Sequence, residues 1–84
     1  MRKSRSQRKP SSPLLAVLAS NIRAFREENG LSQEDFADIC GLHRTYVGSI
    51  ERSERNVSLS TLEVFSAVLG VSVPQLLTGK APKR

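Results

Sequence analysis

The sequence predicts an all-α fold of five short helices. Apolar residues recur at intervals of three and four, which is the spacing of one helix face. No stretch alternates apolar and polar residues as a half-exposed strand would. Serine precedes and glycine follows most of the periodic stretches, as at the two ends of a helix. We expect a basic, disordered arm over residues 1–12, one compact domain over 13–79 and a basic tail over 80–84.

The first helix is expected to begin with Ser12 as N-cap and Pro13 at the first helical position, where proline lacks only an N–H that would be unpaired anyway. Asn29 and Gly30 supply its C-terminal stop. Its apolar stripe consists of Leu14, Leu15, Leu18, Ile22 and Phe25.

The second and third helices are expected to be joined by a tight turn. Ser32 can cap the second helix, with Asp35 three residues on as its capping-box partner, and Cys40 ends it. Gly41 is free to adopt a positive φ in the turn, and the third helix covers about Arg44–Arg52. The apolar and small residues that two steeply crossing helices require are present: Phe36, Ala37, Cys40, Gly41, Leu42, Val47 and Ile50.

Two further helices complete the domain. Ser58 caps the fourth helix, and Gly70 stops it. Ser72 caps a short fifth helix over Pro74–Leu77, which ends before Gly79. The expected core face of the fourth helix consists of Leu59, Leu62, Phe65 and Leu69.

Composition excludes several classes of protein. The 84 residues leave no room for a separate domain that binds a small-molecule effector. One cysteine and one histidine cannot make a disulfide or a tetrahedral metal site, and no acid/base constellation is present. No apolar run is long enough to span a membrane. We expect a cytoplasmic protein that is not an enzyme and needs no metal or cofactor.

The net charge of +5 is concentrated at the two ends of the chain. The first thirteen residues carry five cations and no acid, and the last five carry three cations. The segment between them has five arginines against eight acidic residues, so basicity alone does not identify a nucleic-acid-binding fold. Within that segment, however, Arg44, Arg52 and Arg55 lie close together, which is typical of nucleic-acid binding.

The stretch SQEDFADICGLHRTYVGSIERSERNVSLSTLEVFSAVLGVSVPQLL resembles the helix-turn-helix domain of the phage Cro/repressor type, the XRE family of bacterial regulators. The resemblance covers roughly Leu18 to Leu77 and leaves out both ends of the chain. The segments LHRTY, IER and RN are also similar to segments of the controller proteins of restriction-modification systems. The resemblance implies a phage-repressor-like fold whose partner is double-stranded DNA.

In a helix-turn-helix, the second helix of the motif reads base edges in the major groove. The predicted outward face of that helix carries four candidate base contacts, which are Arg44, Thr45, Gly48 and Ser49. Arg44 can bond guanine O6 and N7 bidentately, although it could instead be a phosphate contact or a solvated charge. Gly48 either permits a close approach to the bases or leaves one base pair unread.

The candidate DNA-backbone contacts are Gln33, His43, Tyr46, Arg52, Arg55 and Asn56. Gln33 would bind a phosphate together with the N-terminal amides of its helix, or be an ordinary exposed side chain. The ring of Tyr46 could instead pack against the fourth helix. His43 is better interpreted as a weak cap or a spectator. The resemblance further implies a partly buried ion pair between Arg26 and Glu51.

The leading functional hypothesis is a sequence-specific transcriptional regulator, such as a repressor, that binds an inverted repeat as a homodimer. The dimer surface is expected on Val73, Leu76 and Leu77, unless these residues only close the core. The alternative is an antitoxin-like protein-interaction module whose DNA binding is autoregulatory.

Overall fold

A computed structural model describes residues 12–79, and within this range every regular element is an α-helix. The helices are α1 (Ser12–Glu28), α2 (Gln33–Cys40), α3 (Arg44–Glu51), α4 (Leu59–Leu69) and α5 (Val73–Leu76). The predicted all-α fold is thus confirmed. The predicted tail, and the predicted arm apart from Ser12, lie outside the described residues.

The start of α1 differs from the prediction. Ser12, the first described residue, is already helical instead of being the N-cap, and Pro13 follows it in the helix. Proline fits there because the N–H groups of a first helical turn have no partner within the helix. The other end agrees with the prediction, since α1 stops at Glu28 and Gly30 has a φ of 65°.

The predicted ends of α2 are confirmed. Ser32 is its N-cap, and the serine hydroxyl accepts a hydrogen bond from the Asp35 amide at 2.9 Å. The Asp35 carboxylate accepts one from the Ser32 amide at 3.2 Å, which completes the capping box. Gly41 follows the helix with a φ of 72°, as the turn into α3 requires.

The helix α3 ends one residue before the predicted boundary. Arg52 is its C-cap, and Ser53 has a φ of 60°. The amide of Ser53 donates to the Ile50 carbonyl and that of Glu54 to the Ser49 carbonyl, both at 2.9 Å. This pair of bonds is the Schellman arrangement, with serine at the position that usually holds glycine.

The predicted core face of α4 is wrong at Leu59, whose side chain is 77% exposed. Phe65 and Leu62 are buried as expected, and Thr61 is buried beside them. Leu59 lies six residues before Phe65, which places it roughly 120° around the helix from the buried face. It therefore points away from the core.

The fifth helix is displaced by one residue from its prediction, since it covers Val73–Leu76 and leaves Leu77 as C-cap. Ser72 caps it as predicted and forms a second capping box with Gln75. The side-chain amide of Asn21, on α1, donates to the Leu76 carbonyl at 2.8 Å. The end of the domain is thereby fastened to its first helix.

The core lies where all five helices meet. Phe36 is at its centre, with ring centroids 6.0 Å from Phe25 and 5.8 Å from Phe65. The other residues with no or almost no exposed surface are Leu18, Ile22, Ala37, Val47, Ile50 and Leu76. Val47 and Ile50 fix the inner face of α3, so its opposite face is presented at the surface. Within residues 12–79, no helix is both long and apolar enough to cross a membrane.

Candidate nucleic-acid interface

The N-terminal end of α3 is open to solvent. Arg44 and Thr45 are both exposed, as the sequence predicts. His43 is the N-cap, and its Nδ1 accepts a hydrogen bond from the Thr45 amide at 3.3 Å. The histidine thus caps the helix in the structure, which agrees with its preferred interpretation as a weak cap. The result is a capped helix end that displays a guanidinium and a hydroxyl.

Gly48 and Ser49 differ from the prediction that they face outward, because both are buried. The hydroxyl of Ser49 turns inward and donates to the Tyr46 carbonyl at 2.8 Å. Gly48 is covered by the ends of the Gln33 and Arg52 side chains. The helical period correctly placed both residues on the side of α3 away from its buried apolar face. It could not show that other side chains cover that side.

The predicted ion pair between Arg26 and Glu51 is present. The two form a bidentate contact, with Arg26 Nε 2.8 Å from Glu51 Oε2 and Arg26 Nη2 3.0 Å from Glu51 Oε1. Only 3% of the Glu51 side chain and 16% of the Arg26 side chain are exposed. Arg26 Nη1 also donates to the Leu31 carbonyl at 3.1 Å. One guanidinium therefore joins α1, the loop before α2 and the end of α3.

Two more side chains meet Glu51. Gln33, predicted as a phosphate contact, donates from Nε2 to Glu51 Oε1 at 3.0 Å. Arg23, for which the sequence predicts no role, donates from Nη2 to the Glu51 carbonyl at 2.6 Å. Arg23 lies three residues before Arg26 on the same face of α1, and this spacing could have predicted its contact with Glu51. The C-terminal end of α3 is consequently held from both α1 and α2.

The charge on Glu51 is stabilised by these contacts. Burial alone would raise the pKa of its carboxyl group, but the hydrogen bonds from Arg26 and Gln33 and the nearby charges of Arg26 and Arg23 lower it below its ordinary value. The hydrogen bond to Glu51 in turn raises the pKa of Arg26, which outweighs the opposing effect of burial. The pair is therefore ionised at neutral pH, and its charges are internal to the fold.

Tyr46 packs against α4, which was its alternative interpretation. Its hydroxyl donates to the Thr61 hydroxyl at 3.4 Å, a long hydrogen bond. Arg55 lies over the tyrosine ring, with the guanidinium carbon 5.5 Å from the ring centroid. Tyr46 thereby fixes the position of a cation beside α3. The sequence did not predict the contact with Thr61, because a single threonine adds nothing to the apolar periodicity of a helix.

The loop after α3 carries the remaining candidates. Arg52 is exposed, and its Nε lies 3.1 Å from Glu54 Oε1. Arg55 and Asn56 are exposed as well. The arginines therefore have different surroundings, since Arg52 pairs with an acid whereas Arg55 stacks on an aromatic ring.

The predicted dimer surface needs a correction at Leu76, which is completely buried within the domain. It faces the core because α5 is fastened to α1 through Asn21. Val73 and Leu77 are only partly buried. Leu77 borders an open apolar groove that is also lined by Leu14, Leu15, Leu18, Asn56, Val57 and Leu62.

Cys40 packs in the core, and burial raises the pKa of its thiol to about 11. A thiol with this pKa is protonated at neutral pH and is a poor nucleophile. Among the described residues, no three histidine, cysteine, aspartate or glutamate side chains are grouped as a metal site would require.

Comparison with known proteins agrees with this geometry. A family model described as helix-turn-helix matches residues 22–76. Control protein C.SmaI of Serratia marcescens is 57% identical over 67 residues, which are 80% of each chain. The crystal structure of the hypothetical transcription factor NHTF from Neisseria has a TM-score of 0.73 at 47% identity, covering 88% of this chain and 84% of that one.

A third similar structure contains DNA. It is the tetramer of the restriction-modification controller protein C.Esp1396I in complex with its natural 35-base-pair operator. The TM-score is 0.66 at 40% identity, and the match covers 74% of this chain and 82% of that one.

Proposed function

The chain belongs to the XRE-type helix-turn-helix family, and we propose that it is a sequence-specific DNA-binding transcriptional regulator that binds an inverted-repeat operator as a homodimer. The observation that carries the proposal is the exposed N-terminal end of α3, where Arg44 and Thr45 stand on a helix whose other face is buried. A helix supported in this way can enter the major groove without rearranging the domain.

Arg44 is the main base reader in this proposal. Its guanidinium can donate two hydrogen bonds to guanine O6 and N7, and Thr45 can bond a base or contact a thymine methyl group. Ser49 donates its hydroxyl proton to the Tyr46 carbonyl, so it could donate to a base only after leaving that carbonyl, and could otherwise only accept a hydrogen bond. Gly48 offers no side chain, so specificity at the centre of α3 must come from other residues.

Contacts to the DNA backbone are proposed for Gln33, Arg55 and Asn56. The stacking of Arg55 on Tyr46 supports its role, because it holds a cation beside the reading helix. Gln33 starts α2, whose first amides can bind a phosphate. Tyr46 and His43 are proposed to position Arg55 and the start of α3, since the Tyr46 ring lies beneath the Arg55 guanidinium and His43 Nδ1 caps α3.

The homodimer is proposed because one motif of this size contacts few base pairs. The surface proposed for the second copy is revised to the apolar groove beside Leu77 and Leu14, of which Leu14 is 48% exposed. The C.Esp1396I tetramer in complex with its operator supports association on DNA. The proposal includes a cytoplasmic location, because bacterial DNA lies there.

The test is selection of bound duplexes from a random DNA library by the purified full-length chain. We expect enrichment of an inverted repeat whose half-sites are about one helical turn, or 10 base pairs, apart. Two chains should bind each selected duplex in analytical ultracentrifugation. Recovery of unrelated duplexes without a common sequence would contradict the proposed function.

A further inference from the structure

Gly48 is an unusual residue for the middle of α3. Glycine is less favourable than alanine inside a helix, because it loses more backbone freedom on folding. The positive φ values that call for glycine occur at Gly30, Gly41 and Gly70, but not at Gly48. The helix backbone therefore gives no reason for a glycine at this position, and the surroundings must be considered.

The space that a side chain at position 48 would fill is occupied by Arg52. A Cβ built on Gly48 would lie 3.2 Å from Arg52 Nη1, closer than such contacts normally are. Arg44, Gly48 and Arg52 follow one another at intervals of four residues, so they share one face of α3. Because position 48 has no side chain, the guanidinium of Arg52 can lie along this face. Measured along the helix axis, it lies about 6 Å nearer to Arg44 than the Arg52 backbone does.

Gln33 forms the other wall of this slot. Its Oε1 would lie 3.4 Å from the same Cβ, and its Nε2 is bonded to Glu51 Oε1 at 3.0 Å. Glu51 is itself held by Arg26, so Gln33 has a fixed neighbour and cannot move away freely. Two side chains therefore border the slot above Gly48. Gln33 is held in place by Glu51, and Arg52 is exposed.

The charge around Arg52 favours a base over a phosphate as its target. Its Nε lies 3.1 Å from Glu54 Oε1, so the two side chains together carry no net charge. Such a pair contributes little to the attraction of phosphates, which depends on unneutralised cations. It does orient the guanidinium, whose Nη1 lies over Gly48 on the face that also carries Arg44.

We propose that Gly48 and Arg52 together determine specificity: the missing side chain at position 48 lets the Arg52 guanidinium lie across α3 and read a base pair next to the one read by Arg44. The sequence assigned Arg52 to the DNA backbone, and this geometry reassigns it. The inference rests on the proposed function, because it names a second reading residue on the same helix. The recognised feature is a guanine edge in the major groove.

The experiment uses the operator selected by the unaltered full-length chain, with each base pair of a half-site substituted in turn. Arg52→Lys keeps the charge but loses the planar fork, so discrimination at one base pair should fall about 5- to 150-fold. The salt dependence of binding to random DNA should stay unchanged. Gly48→Ala should relax the preference at the same base pair, though less than Arg52→Lys, because its methyl group would push the guanidinium aside by a few tenths of an ångström.

The double variant Gly48→Ala/Arg52→Lys shows whether Gly48→Ala acts through Arg52 or through a direct effect of its methyl group on the DNA. We expect it to discriminate no worse than Arg52→Lys alone, since both changes remove one interaction. If Gly48→Ala weakens binding equally with and without Arg52, the methyl group acts on the DNA itself and the inference is wrong. Arg55→Ala is the control for a phosphate contact, expected to weaken all sequences alike.

The outcomes also distinguish this inference from the proposed function. If the unaltered chain selects no sequence, the proposed function fails. If it selects an operator but Arg52→Lys leaves every base preference unchanged, only the inference fails. Should Gly48→Ala not fold, as judged by its thermal melt, Arg52→Lys decides the question alone.

Discussion

Glu51 is the residue on which the placement of the reading helix depends most. Its carboxylate accepts hydrogen bonds from Arg26 and Gln33, and its backbone carbonyl accepts one from Arg23. The acid sits at the last position of α3, so these bonds fix the C-terminal end of that helix against α1 and α2. The charges serve the fold and are not available to DNA.

Arg26→Ala should destabilise the domain by about 3 kcal/mol, because it leaves the buried Glu51 carboxylate without its main partner. Chemical denaturation monitored by circular dichroism measures the change in the free energy of unfolding. Arg23→Ala is the matched control on the same helix. It should cost less, since 45% of the Arg23 side chain is exposed. Equal losses for the two variants would show that the bidentate pair has no special role.

The lowered pKa of Glu51 predicts a pH dependence of stability. A carboxyl group whose pKa is lower in the folded state contributes stability above its unfolded-state pKa, and this contribution is lost as the pH falls through the folded-state pKa. Between about pH 5 and pH 3, the unaltered chain should therefore lose more unfolding free energy than Glu51→Gln does. The other carboxyl groups are common to both chains and cancel in the comparison. Parallel pH curves would contradict the assigned ionisation.

Arg44→Ala should remove a base contact and not a general DNA contact. We expect a loss of about 1–3 kcal/mol on the operator, with relaxed preference at one base pair of each half-site. Arg55→Ala should weaken operator and random DNA alike and lower the salt slope by roughly one unit per half-site. Both variants should keep near-native melting temperatures, because both side chains are exposed. A uniform loss for Arg44→Ala would make Arg44 a phosphate contact.

At the scale of elements, α2, its turn and the start of α3 were the part most completely predictable from sequence. Ser32, Asp35 and Gly41 act through their own backbone neighbourhood, so their roles can be inferred from local spacing. The end of α3 was less predictable, because Ser53 adopts a left-handed conformation that serine seldom takes.

Gly41→Ala tests this turn. Nothing lies within 4 Å of a Cβ built there, so the φ of 72° is the only obstacle. Alanine should cost about 1–2 kcal/mol of stability, and Gly41→Asn should cost less because asparagine tolerates this conformation. Thermal melts of the two variants provide the measurement. If asparagine were as costly as alanine, strain at this φ would not explain the glycine.

The side of a helix that meets a neighbour was harder to predict than the helix itself. The sequence placed Leu59 in the core and Leu76 at a dimer surface, whereas Leu59 is exposed and Leu76 is buried. The two errors have different causes: Leu59 lies about 120° around α4 from Phe65, so helical spacing itself argued against it, whereas periodicity cannot show which element packs on the apolar face of α5. The same limit applies to Gly48, whose surface is covered by side chains from α2 and from the end of α3.

Across the whole molecule, the charged side chains that stabilise the fold are different from those proposed to bind DNA. The arginines on α1 that meet Glu51 are bonded within the domain, whereas Arg44 and Arg55 carry their charges at the surface around α3. The apolar groove beside Leu14 and Leu77 is lined by residues of α1, α4 and the α5 end, and by Asn56 and Val57 of the loop after α3. Neither Arg44 nor Thr45 lines this groove, so a second copy seated on it need not cover them.

The spacing of the half-sites tests the central claim most directly, namely that two copies present two α3 helices to one face of the DNA. The measurement compares the affinity for the selected inverted repeat with the affinity for the same repeat carrying five extra base pairs between its half-sites. The insertion turns one half-site by about half a helical turn, so a dimer can engage only one of them. We predict that the affinity falls to that of a single half-site. Equal affinity for the two duplexes would contradict the account.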